Sequence, residues 1–163
     1  MAESDRSDLF HGYTDVAYSN LDERKSTTGY IFIAAKGAIT WRSKKQLTIA
    51  LSSTEAEYVT LSEVTREACW LRLLFGELGY KQALPTEIFS DNEGMVAMAK
   101  NPQFHQRAKH IDIKYHSIRQ MVKQNKIKAQ SCQGHNQTAD VLTKALPCSK
   151  YKQHIFKMGM ATI

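Results

Sequence analysis

Between Ser53 and Gly79 the chain repeats its apolar residues at helical spacing. At about 100° per residue, Glu57, Leu61, Val64, Ala68, Leu71, Phe75 and Leu78 fall on one face. A long helix with one continuous apolar face must lay that face on another layer of structure. Ser53 or Thr54 suits its N-cap and Gly79 its stop, with Glu55 and Glu57 placing acid where the helix dipole favours it. The preceding sequence supplies the layer. Residues 11–18 read as a short strand. Residues 28–35, 38–42 and 47–51 read as further strands joined by turns at Lys36-Gly37 and at residues 43–46, an antiparallel meander. After the long helix come a strand at 87–90, a helix at 92–100, a basic amphipathic helix at 109–123, a strand at 127–132 and a helix at 138–146. A meander followed by strand–helix alternation implies a mixed sheet with helices packed on its faces.

The chain has 163 residues, a length that suits one domain. We place it at residues 11–146, with a polar, acidic lead-in at 1–10 and a basic tail at 147–163 whose structure the pattern does not specify. With 42% hydrophobic and 23% charged residues, the composition is globular and excludes a disordered chain. The apolar runs are far too short for a membrane span, and no charged-then-apolar leader opens the chain. Cys69, Cys132 and Cys148 are odd in number and widely spaced, which points to free thiols and an intracellular location. The formal net charge of +6 favours a polyanionic partner such as nucleic acid.

Several acids are out of place locally. Asp15 lies inside an apolar strand, where Asp is depleted. Glu57 heads the core stripe of the long helix, whereas Glu55 points roughly 160° away. Asp91 ends a strand, the end at which α/β sheets bind ligands, and Asp140 opens the last helix. Each could be satisfied alone: Asp91 as a helix cap, Asp140 as a dipole partner, Glu57 at the wet edge of the stripe. Converging instead, they would repel one another and call for a hard cation, Mg²⁺ or Mn²⁺, which takes oxygen ligands.

The segments GYTDVAYS (12–19), RKSTTGYIF (24–32), ITWRSKKQ (39–46), ALSSTEAEYV (50–59), ACWLRLL (68–74), FSDNEGMVAMAKNP (89–102), KHIDIKYHSIR (109–119) and TADVLTKAL (138–146) together resemble the ribonuclease H domain of copia-type LTR retrotransposon Pol polyproteins. The resemblance implies an α/β ribonuclease H-like fold: a mixed five-stranded sheet, a three-strand antiparallel meander first, with helices on both faces. It implies a metal-dependent endonuclease that hydrolyses the RNA strand of RNA–DNA hybrids during reverse transcription, beside a reverse transcriptase domain. It maps a carboxylate tetrad holding two Mg²⁺ or Mn²⁺ ions onto Asp15, Glu57, Asp91 and Asp140. In that scheme Asp15 bridges both ions, Glu57 and Asp91 hold the one nearer the leaving group, and Asp140 the one nearer the water. Family members often carry a second acid two residues after the first Asp, where this chain has Ala17.

Around the tetrad, Arg42, Lys44, Lys45, Arg107, Lys109 and Lys114 are candidate phosphate contacts, and Asn92 a candidate reader of the ribose 2′-OH. His135, five residues before Asp140, is a candidate for proton transfer or product release. Cys132, His110, His116 and His135 lack finger spacing, and no zinc site is expected. The alternative is a repurposed remnant that binds nucleic acid, or partners a polymerase domain, without catalysis.

Overall fold

The computed structural model describes residues 9–19, 25–100 and 109–160, excluding the side chains of Met98 and residues 109–115. Its elements run β1 (Phe10–Ala17), β2 (Thr27–Ala34), β3 (Gly37–Lys45), α1 (Ser53–Glu77), β4 (Thr86–Ser90), α2 (Glu93–Lys100), α3 (Lys109–Lys123), β5 (Ile127–Ser131), 3-10 turns at Gly134–Asn136 and Thr138–Leu142, and α4 (Cys148–Lys157). The strands form one five-stranded sheet in the order β3-β2-β1-β4-β5. β1, β2 and β3 pair antiparallel, while β4 joins β1, and β5 joins β4, in parallel. This is the mixed sheet the sequence implied.

The strand boundaries differ from expectation on one side. Residues 43–45, read as a turn, continue β3, and residues 47–51, read as a strand, form none. β3 is an edge strand, so its backbone can pair with β2 while Arg42, Lys44 and Lys45 stay in water. The hairpin turns at Ala35 and Lys36, both at positive φ (49° and 65°), rather than at Lys36-Gly37. The last helix is also shorter than expected: a 3-10 turn that stops at Leu142 rather than a helix to Leu146.

Each face of the sheet carries its own core. On one face Phe10, Tyr30, Phe32 and Ile88 pack with Leu61, Val64, Ala68 and Leu71 of α1, with Met95 and Val96 of α2, and with Ile118 of α3. The α1 stripe is thus buried from Glu57 to Leu71, with Phe75 packed at its margin, but Leu78 is exposed at the C-cap. The chain then leaves through Gly79 at φ +90°, a conformation glycine adopts without steric cost. On the other face Ile31 and Ile33 pack with Ala139 and Met158. α4, which the sequence pattern left unassigned, closes this face, and Ala38 N–H donates to the Met158 carbonyl at 2.9 Å. Among the described residues no helix is long and apolar enough to cross a membrane.

The approach of the second 3-10 turn to the sheet fixes where Asp140 stands. It depends on Gly29, the antiparallel partner of Asp15. A Cβ at Gly29 would lie 2.5 Å from Thr143 Cγ2 and 3.1 Å from Leu142 Cβ. Gly29→Ala is therefore expected to push this turn off the sheet and to cost about 1–3 kcal/mol, as overpacking does. Urea denaturation of the purified variant measures that loss.

Candidate carboxylate site at the sheet end

Asp15 and Asp91 meet because their strands are parallel neighbours. The register pairs Gly12 with Ile88 and Tyr13 with Phe89, so both chains reach the same sheet end together. An open cleft of about 450 Å³ lies there, lined by Asp15, Val16, Ser90, Asp91, Asn92, Glu93 and Met95. Glu57 and Asp140 approach it from opposite faces, on α1 and on the second 3-10 turn.

Glu57 owes its position to how α1 starts. The N-cap is Ser52, one residue before the expected candidates, and its Oγ accepts from Glu55 N–H at 3.2 Å. The Glu55 carboxylate reaches back to accept from Leu51 N–H at 2.8 Å, a reciprocal cap. Gln46, buried, donates to the Ala56 carbonyl at 2.9 Å and to Thr28 Oγ1 at 3.1 Å, tying the helix start to β2. Glu57 is consequently 8% exposed, and its Oε1 accepts from Asn92 Nδ2 at 2.5 Å. Burial raises its carboxyl above the ordinary range, an effect the Asn92 bond partly offsets. The other end of Asn92 is also occupied, since Oδ1 accepts from Met95 N–H at 3.0 Å. Asn92 therefore caps α2, and Asp91 does not.

Asp140 is held by a buried glutamine that the sequence reading did not single out. Gln137 Nε2 donates to the Thr14 carbonyl at 3.0 Å and reaches Asp91 Oδ1 at 3.5 Å, while its Oε1 accepts from Ala139 N–H at 3.2 Å. One side chain thus ties the 3-10 turn to β1 and to Asp91. Burial raises the Asp140 carboxyl first, Lys144 pulls it down, and the charges of Asp15 and Asp91 push it up. Asp140 therefore feels both strand acids, and Glu57 reaches the same cleft beside Asn92. Cys132 senses the same field: burial, then Asp91 and Asp140, push its thiol up to about 11.

Lys144 and Thr143 were also missed. Lys144 Nζ sits 3.2 Å from Asp15 Oδ2 and 3.0 Å from Asp140 Oδ1, and Thr143 Oγ1 donates to Asp15. The spacing of Asp140 and Lys144, four apart, was legible as a local pair. The contact with Asp15, distant in sequence, was not.

The donor set is oxygen-only and mutually repulsive, which fits a hard divalent cation. Among the described residues, however, no three His, Cys, Asp or Glu side chains stand close enough together to hold a metal as placed. The cation between Asp15 and Asp140 is the lysine's own.

Of the other candidates, His135 is exposed in the first 3-10 turn, and the neighbouring Gly134 lies near Asp91. Arg42 is exposed and bonds Tyr30, with Glu63 and Glu67 attracting it. Lys44 and Lys45 are exposed on β3. Arg107 lies outside the described residues, and Lys109 and Lys114 are described only as backbone of α3.

No family model matches the chain. It is 40% identical over 145 residues, 88% of its length, to the retrovirus-related Pol polyprotein from transposon TNT 1-94 of Nicotiana tabacum. The chain spans about a tenth (11%) of that polyprotein. LC11-RNase H1, isolated from compost by a metagenomic approach, superposes with a TM-score of 0.58 at 15% identity, over 83% of this chain and 93% of that one. The foamy viral protease-reverse transcriptase in complex with RNA/DNA hybrid superposes with a TM-score of 0.61 at 12% identity, over 93% of this chain and 22% of that one.

Glu57 and Asp140 both lie above their ordinary values, so folding favours their protonated forms. That contribution is complete below the unfolded values of 4.5 and 3.8 and is lost as pH rises through the higher folded ones. In metal-free buffer, Glu57→Gln should gain stability relative to wild type as pH rises above 4.5. Glu55→Gln should instead lose about 0.3–1 kcal/mol of helix-start stabilisation at neutral pH. Denaturant midpoints across pH check both. The sheet order, the two-faced core and the polyprotein relatives agree: the chain is a ribonuclease H-fold domain related to the retrovirus-related Pol polyproteins of plant transposons.

Proposed function

We propose that the chain is a metal-dependent endonuclease that hydrolyses the RNA strand of RNA–DNA hybrids. The observation that supports this reading is that Asp15 and Asp91 line one cleft at a sheet end of a ribonuclease H fold, with Asp140 and Glu57 reaching towards it from either face. Those four carboxylates would hold two Mg²⁺ or Mn²⁺ ions. When bound, such a pair activates the attacking water and stabilises the leaving oxygen of an in-line displacement.

The chain's own groups do the positioning. Gln137 holds Asp91 and the 3-10 turn in fixed relation, and Asn92 aims Glu57 while capping α2. The open cleft admits a backbone phosphate beside Asp15 and Asp91. Lys44 and Lys45 on the exposed edge strand offer phosphate contacts, as do Arg107, Lys109 and Lys114 by sequence. Asn92 is a poorer reader of the 2′-OH than expected, because both ends of its amide are engaged. His135 stays a candidate for proton transfer, in a loop adjoining Asp91. A reverse transcriptase domain is the partner we assign, since the relatives are Pol polyproteins of which this chain spans a tenth.

The second reading, hybrid binding without cleavage, draws on the lysine that already fills the space between two of the acids. Cleavage of a labelled hybrid in Mg²⁺ and in Mn²⁺ separates the two. Wild type should cut the RNA strand, and Asp91→Asn should fall by about a thousandfold or more while still melting cooperatively. Hybrid bound but never cut by wild type favours the second reading. Under either reading, log affinity for hybrid should decline linearly with log salt, because neutralised phosphates release counterions. A flat salt titration would remove nucleic acid as the partner.

A further inference from the structure

Lys144 touches two carboxylates on different elements: Asp15 of β1 and Asp140 of the second 3-10 turn. Its separation from Asp140 in sequence explains only one of these contacts. An ordinary surface pair would leave Asp15 alone. Here the ammonium stands where the two acids face each other, with Thr143 donating to Asp15 beside it. The acids are fixed and the lysine is not: the Asp15 and Asp140 side chains are 7% and 16% exposed, the Lys144 side chain 42%. The tip can therefore swing into solvent without unpacking the core. Like charges held this close need a counter-charge in any state of the protein.

We propose that Lys144 is the resident counter-ion of the carboxylate cluster, neutralising Asp15 and Asp140 in the metal-free protein and giving way when a divalent cation binds. It is then a positioning residue that sets metal affinity. The inference rests on the tetrad reading above. A monovalent ammonium in contact with two ligands must be displaced before a divalent ion takes them. It weakens metal binding, and in return it keeps the empty site from splaying apart. Serving both ends requires a long, flexible side chain carrying a compact point charge, which is lysine.

The test compares wild type, Lys144→Gln and Lys144→Arg in EDTA and along a Mn²⁺ titration, followed by thermal melting and calorimetry. Lys144→Gln should melt below wild type in EDTA yet bind Mn²⁺ about five- to tenfold tighter, the order of effect a unit charge at contact distance has in a water-like dielectric. Lys144→Arg, which keeps the charge, should move both readouts back towards wild type. Equal or weaker Mn²⁺ binding by Lys144→Gln would overturn the inference and leave the tetrad standing. Absence of Mn²⁺ binding by all three proteins overturns the tetrad and the inference together. If Lys144→Gln folds only when Mn²⁺ is added, the ion has replaced the lysine, as proposed. If it stays unfolded at saturating Mn²⁺, the lysine does something the ion cannot, and the proposal fails.

Discussion

Parallel pairing of β1 with β4 is the constraint from which the rest of the site follows. Hairpin-connected strands place their ends at opposite edges, whereas two parallel neighbours end together. Only that arrangement brings Asp15 and Asp91, from distant parts of the sequence, to one sheet end. A parallel pair also requires a crossover, and α1 supplies it, covering one face of the sheet with the stripe that begins at Glu57. The same connection that closes the core therefore delivers the third acid. The fourth arrives from the other face, on a turn seated over Gly29. Two small choices, a glycine opposite Asp15 and a glutamine bonded to Thr14 and Asp91, set its height above the sheet.

The hydrogen bonds at this end do more than satisfy individual atoms. Buried polar networks are costly when half made and specific when complete. Gln46 donates from Nε2 to Thr28, Thr60 and the first turn of α1, while its buried Oε1 has no partner among the described residues, and these donations fix the phase of the helix and so the direction of Glu57. Asn92 divides its amide between the α2 cap and Glu57. Helix-starting chemistry and acid-orienting chemistry are in both cases the same bonds. Loosening either helix start would move a carboxylate.

Much of this was legible from the residues alone, for identifiable reasons. Helical period placed Glu57 with Leu61, Val64 and Ala68 because one buried face dominates α1. Strand-prone aromatic and β-branched residues marked β1, β2, β4 and also β5, the last despite its place at the sheet edge. The reading found residues 38–42 of β3 but stopped short of 43–45, where an edge strand needs backbone pairing but no apolar residues, and it failed at residues 47–51, which have no strand to pair with. α4 was unreadable as structure because its basic surface hides a few anchoring contacts, such as Met158. Lys144 lay outside reach for a deeper reason: its pairing with Asp15 is a tertiary contact between charges, and no local period encodes it.

The energetics of the acid cluster bear on which reading of the chain is sounder. Asp15 at 6% and Glu57 at 8% exposure are nearly out of water, and an unpaired buried carboxylate is strongly unfavourable. A domain that needed only to fold would be better served at these positions by neutral residues, since replacing buried charge with well-packed neutral groups is often stabilising. This sheet end instead gathers several acids and provides one lysine against them. One positive charge balances one of the acids, so the cluster keeps net negative charge in a protein whose overall balance is +6. A concentrated negative site inside a basic surface is poorly suited to holding a phosphate backbone by charge alone. Two divalent cations, if held there, would offset the four acids and present Lewis-acidic centres to the phosphate. The charge distribution therefore makes more sense for a site completed by metal than for a passive binding surface.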